Sequence, residues 1–191
     1  TAQEAERESA ARPGLAGAAV NGPRSVVLAG DPAAVDALVA DLAARDVFAR
    51  KVKVDVASHS PQVDPLAADL RAELEGLAPV AAKVPFHSTV RGETLGGAEL
   101  GPDYWVENLR RPVLFGPAIE RLAAEVDAFV EVGPHPILTP SVADGILRAG
   151  SPAVALPSLV RDEPERASIL GSLGALWTRG AEVAWERLHP R

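Results

Sequence analysis

The chain has 191 residues, 47% hydrophobic and 24% charged, the mix of an ordinary globular protein long enough for one domain and an appendage. Its formal charge of −7 argues against nucleic acid or an anionic membrane as partner, since either needs a basic face. The absence of cysteine excludes disulfides and thiolate chemistry and suits a reducing cytoplasm, and no run approaches the ~20 apolar residues that span a bilayer. No stretch reads as a signal peptide. Thr1 at the start fits either removal of an initiator methionine or a segment of a longer polypeptide.

Residues 1–12 are charged and alanine-rich, and Pro13-Gly14 closes them, so they read as a remnant helix. Residues 15–20 and 25–29 read as two short strands, with Asn21-Gly22-Pro23 reversing the chain between them. Gly30-Asp31-Pro32 is a helix start, because aspartate caps free N–H groups and proline at the first turn needs no donor. Val35, Leu38, Val39 and Leu42 then form one apolar stripe to about Arg45. Phe48, Arg50, Val52 and Val54 share a face of an expected strand, with Val52 and Val54 turned to the core.

Beyond His59 the apolar spacing of Val63, Leu66, Leu70 and Leu74 predicts a helix to about Leu77, and residues 84–90 a short buried strand. Residues 104–109 begin another helical stretch, continued by Ile119 and Leu122 after Pro112 and Pro117. Residues 128–132 read as a strand closed by Gly133-Pro134-His135-Pro136. Alternation of strands and helices predicts an α/β layer with a parallel sheet. From Pro157 a tail carries Leu159, Ile169, Leu173, Leu176 and Trp177, with Trp185 near the end.

The sequence holds no G-x-S-x-G, no Walker loop, no G-x-G-x-x-G and no H-E-x-x-H, which leaves four histidines as candidates for chemistry. His59 lies between two serines at a strand-to-helix junction, where α/β folds place active groups; capping or a buried hydrogen bond is the plain alternative. His87 reads as strand packing and His135 as a turn residue bracketed by prolines, while His189 belongs to the tail. Tyr104 and Trp105 read as core anchors.

Five segments occur in a telling order: Val20-Asn21-Gly22-Pro23; Val56-Ala57-Ser58-His59-Ser60; Val84-Pro85-Phe86-His87-Ser88-Thr89-Val90; Tyr104-Trp105-Val106-Glu107-Asn108-Leu109-Arg110-Arg111-Pro112-Val113; and Phe129-Val130-Glu131-Val132-Gly133-Pro134-His135-Pro136. Together they resemble the C-terminal part of the acyltransferase domain of modular type I polyketide synthases, and the tail resembles the linker that follows it. The resemblance implies an α/β fold: a ferredoxin-like small subdomain (residues 13–55) after the remnant helix (1–12), then part of a lobe (56–150) like that of α/β-hydrolases and malonyl-CoA:ACP transacylase, then the linker (151–191).

The implied activity moves an extender acyl group from coenzyme A, through a serine ester, to the phosphopantetheine thiol of an acyl carrier protein. His59 matches the histidine that activates the serine, a weak nucleophile near neutral pH without a base. Asn108 matches the position whose backbone carbonyl orients that histidine. Val56, Ala57 and Ser58 match the selectivity motif: members that read Y-A-S-H tend to take methylmalonyl units, and Ser58 is small enough to leave room for a branch, while Val56 departs from the usual tyrosine. Acyl-CoA is a substrate, and no cofactor or metal is implied. The implied partners are the carrier protein and the adjacent ketosynthase and linker domains, with no nucleic acid and no membrane.

The family's G-H-S-x-G elbow is absent from this sequence. Without the serine, the carboxylate-binding arginine and the oxyanion donors of that part, the chain alone is expected to be inactive. Two alternatives stand beside this reading: the malonyl transferase of fatty acid synthesis, and a non-catalytic remnant that docks a carrier protein or a neighbouring domain.

Overall fold

The computed structural model describes residues 1–188, which fall into two compact units, one of residues 1–118 and one that begins at Ile119. In the first unit, α1 (Ala2–Ala11) opens with a capping box between Thr1 and Glu4. β1 (Leu15–Gly22) and β2 (Ser25–Gly30) form an antiparallel pair, with Leu15 opposite Gly30 and Gly22 opposite Ser25. The Asp31 N–H donates to the Gly14 carbonyl at 2.9 Å, and a Cβ on Gly30 would meet that oxygen at 1.9 Å, so only glycine fits there.

Asp31 caps α2 (Pro32–Ala44) by accepting from Ala33 N–H at 2.9 Å and Ala34 N–H at 3.2 Å, and Leu38 is buried.

The strand expected over 48–54 does not form. Those residues have no regular structure, and Phe48, Val52 and Val54 are 92%, 59% and 70% exposed. Alternation supplies one apolar face, but a strand also needs a neighbour for its backbone groups, and no neighbouring strand pairs with this segment.

The helix expected after His59 begins instead as a 3₁₀ stretch, Pro61–Leu66, and becomes α3 at Ala67–Glu73. Pro65 lacks the N–H that an α-helical ladder would use there, which fits the tighter start.

β3 (Phe86–Ser88) pairs antiparallel with β4 (Glu93–Leu95) across a tight turn, so the strand is shorter than expected. Val84 is 74% exposed beside Pro85, whereas Val90 is buried inside the turn. α4 (Pro102–Arg110) buries Tyr104 almost completely. Val113 lies beside β1, donating to Ala18 O at 2.9 Å and accepting from Val20 N–H at 2.8 Å. α5 (Phe115–Leu122) follows.

In the second unit, β5 (Ala128–Glu131) and β6 (Val154–Pro157) are parallel, joined through α6 (Thr139–Arg148). This is the expected strand–helix–strand alternation with a parallel pair. Its core contains Ile119, Ala123, Val142, Ile146 and Ala153. The Glu131 carboxylate accepts from the backbone N–H groups of Ile137, Leu138 and Thr139 and from the Thr139 hydroxyl, closing the loop 133–138. α7 (Glu165–Trp177) occupies the tail and has no fully buried residue, and Trp177 meets Trp185 edge to face at 6.2 Å. Among the described residues, no helix is long and apolar enough to cross a membrane.

Candidate active site

His59 sits on the loop between the irregular segment and the 3₁₀ stretch, with φ of +62°, a left-handed conformation uncommon outside glycine. Such a conformation costs about 1–3 kcal/mol and persists only where its surroundings impose it. Two contacts do so here. The His59 N–H donates to the Leu109 carbonyl at 2.9 Å, and ring Nδ1 lies 2.8 Å from the Arg111 carbonyl. The next residue locks the loop from beneath. Ser60 is fully buried, its hydroxyl donates to Ala57 O at 2.7 Å, and it accepts from Gln62 N–H at 3.2 Å.

A carbonyl only accepts, so Nδ1 carries the proton and Nε2 is left as the basic nitrogen. This is how a histidine base is oriented in hydrolytic triads, with a peptide carbonyl in place of a carboxylate.

The carbonyl that faces Nδ1 in this structure is that of Arg111, three residues beyond Asn108. Asn108 lies inside α4, where peptide carbonyls run along the helix axis. Arg111 is the cap residue, extended at φ −82° and ψ 153° because Pro112 disfavours helical geometry in the residue before it. Its carbonyl is thereby turned out of the helix. The X-Pro step in the sequence is the signal that could have identified it.

Around Arg111 stands a polar cluster that the sequence reading missed. Glu107 accepts from Arg91 Nε at 2.8 Å and from the Arg111 guanidinium, with Arg111 first and Arg91 second holding its carboxyl below the usual range. The Arg91 guanidinium lies 5.3 Å from the centre of the Tyr104 ring. Tyr104 OH and the fully buried Ser88 hydroxyl are 2.9 Å apart. The i, i+4 spacing of Glu107 and Arg111 was a visible clue; the reach from Arg91 was not.

Val56 is 51% exposed, and Ala57 and Ser58 are half-buried on the same loop as His59. The other candidates lie apart from this contact set. His87 Nδ1 is 3.2 Å from the Thr94 hydroxyl across the β3–β4 pair. His135 Nδ1 accepts from Arg161 N–H at 3.3 Å within the second unit, and His189 lies outside the described residues. Trp105 donates through its indole N–H to Leu100 O at 2.9 Å. No group of three His, Asp or Glu side chains among the described residues is arranged to hold a metal ion.

The profile of the acyl transferase domain family matches residues 1–183. The chain is 46% identical, over 97% of its length, to the spectinabilin polyketide synthase system protein NorA' of Streptomyces orinoci, covering 5% of that protein. It is 41% identical, over 92% of its length, to erythronolide synthase EryA2 of Saccharopolyspora erythraea, again covering 5% of that protein. Among solved structures, the acyltransferase domain from module 8 of the salinomycin polyketide synthase superposes with a TM-score of 0.91 at 44% identity, over 97% of this chain and 44% of that one. The malonyl-CoA:acyl carrier protein transacylase of Xanthomonas oryzae gives 0.73 at 27% identity, over 91% and 52%. The chain thus spans about half the length of the solved domains it matches and a small fraction of the synthases. With its mixed α/β fold and ordered motifs, it belongs to the acyltransferase domain family of modular polyketide synthases.

Proposed function

We propose that this chain supplies the general base of an acyltransferase that loads extender units onto a polyketide synthase. The observation that carries the reading is the His59 ring, tied through Nδ1 to the Arg111 carbonyl so that Nε2 is free to take a proton. In this reading the serine hydroxyl comes from a G-H-S-x-G elbow that this sequence does not contain. His59 removes the hydroxyl proton as oxygen attacks the thioester carbonyl of acyl-CoA, then returns it to the departing sulfur, so that CoA leaves as the thiol. The carrier protein's phosphopantetheine thiol then gives its proton to the same base and takes the acyl group, and His59 passes that proton to the serine oxygen as it is freed.

Residues 1–55 and 56–150 belong, in this reading, to a ferredoxin-like small subdomain with its preceding helix and to the hydrolase-like lobe, and 151–191 to the linker. The partners are acyl-CoA, an acyl carrier protein and neighbouring synthase domains, in the cytoplasm and without a resident cofactor. Val56, Ala57 and Ser58 adjoin the base, and the small Ser58 side chain favours a branched extender, methylmalonyl above malonyl.

The test builds these 191 residues into a complete acyltransferase domain. Transfer of methylmalonyl to the carrier protein should fall by about 10²–10⁴ in His59→Ala. Unchanged transfer would rule out His59 as the base, and a clear malonyl preference in competition would rule out the branched extender. The chain alone, incubated with acyl-CoA, should give no covalent adduct by intact mass.

A further inference from the structure

Resting on the reading of His59 as a base, we propose that Glu107 is a positioning residue: its carboxylate ties Arg111 to Arg91 and thereby holds the carbonyl that sets the tautomer of His59.

Arg111 lies between two anchors. Three residues on, Leu114 N–H donates to Thr89 O at 2.7 Å, fastening the chain to the turn between β3 and β4. Arg91 stands on the same turn, and its ion pair with Glu107 closes the other side. The turn itself is rigid, because the buried Ser88 hydroxyl accepts from Val90 and Arg91 N–H at 3.3 and 3.2 Å and meets Tyr104 OH. Arg111 N–H stays bonded to Glu107 O at 2.8 Å, whereas its carbonyl lies beyond the α4 ladder, so the guanidinium pair with Glu107 is a second hold on the residue that carries that carbonyl. Loss of the Glu107 charge would remove the carboxylate that Arg91 and Arg111 share, leaving Glu93 as the acidic neighbour of Arg91. A shift of about 1 Å would carry the 2.8 Å contact between Nδ1 and the carbonyl beyond hydrogen-bonding range. An imidazole without that partner is free to hold its proton on either nitrogen.

General anchoring of α4 does not depend on Glu107. Arg110 Nε is paired with Asp64 at 2.5 Å and Arg71 Nε with Asp103 at 2.7 Å, which fasten both ends of the helix to the 3₁₀ stretch and to α3. That separation permits a specific test.

¹⁵N spectra of the histidine-labelled chain report the tautomer of each ring, and His59→Gln assigns the His59 signals. The wild-type chain should hold His59 as the Nδ1–H form. Glu107→Gln, which preserves size, removes the charge and turns one of the two accepting oxygens into a donor, should abolish the dominance of that form. Arg91→Ala should do the same, while Arg71→Ala should not. Amide shifts in β1 and β2 report whether each variant is folded, and Arg91→Ala decides the matter if Glu107→Gln is not. A wild-type tautomer in folded Glu107→Gln or Arg91→Ala overturns the proposal, as does an equal shift in Arg71→Ala. A wild-type His59 without the Nδ1–H form overturns both this proposal and the general-base reading, which separates the two failures.

Discussion

Ser60→Ala removes a single oxygen, yet the structure assigns it a large effect. The Ser60 side chain is fully buried, so no water replaces the lost hydroxyl. Two partners are orphaned together: the Ala57 carbonyl at 2.7 Å and the Gln62 N–H at 3.2 Å. Each such bond contributes about 1 kcal/mol net, and a serine cap on a helical turn is worth a similar amount, so the two sum to about 2 kcal/mol. For a chain of this size that lowers Tm by roughly 4–8 °C. Ser58→Ala, on the same loop but half-buried, is the control and should change stability by less than about 0.5 kcal/mol. Urea unfolding followed by circular dichroism measures both, with an unchanged m-value showing that only stability moved. A loss below about 0.5 kcal/mol for Ser60→Ala would refute the view that this hydroxyl holds the loop under His59.

Glu131 gives a pH signature. Burial raises its pKa, but the Thr139 hydroxyl and the backbone N–H groups of Leu138, Ile137 and Thr139 outweigh it and leave the carboxyl below the usual range. A depressed folded pKa contributes stability that is present above the unfolded value of about 4.3 and lost as pH falls through the folded one. Thermal melts of the wild type against Glu131→Gln should therefore differ most above pH ~5 and converge in acid; a constant gap would contradict this. Gly145→Ala should destabilise despite the better helix propensity of alanine, because the new Cβ would lie 2.7 Å from Ile119 Cγ2. Overpacking costs about 1–3 kcal/mol against a gain of about 1, and urea unfolding that found the variant more stable would refute the close α5–α6 contact.

Much of this protein was determined by short-range chemistry that the sequence displays by itself. Asp31-Pro32 starts α2 and a turn at Pro23 separates β1 from β2, although β1 runs on through Asn21 and Gly22, because caps and turns depend on side chains within a few residues of one another. The same locality made the family motifs around His59 and Tyr104 legible.

Only the tertiary structure decided the rest, because it depends on partners distant in sequence. The alternation of residues 48–54 describes a strand, but with no neighbour to bond its backbone it remains irregular and exposed. His59 reads as a candidate base from its motif, yet its tautomer is set 52 positions away, by the Arg111 carbonyl. Pro112 explains locally why that carbonyl leaves the helix. Only the packing of the His59 loop against the end of α4, where the His59 N–H meets the Leu109 carbonyl at 2.9 Å, brings it to the ring.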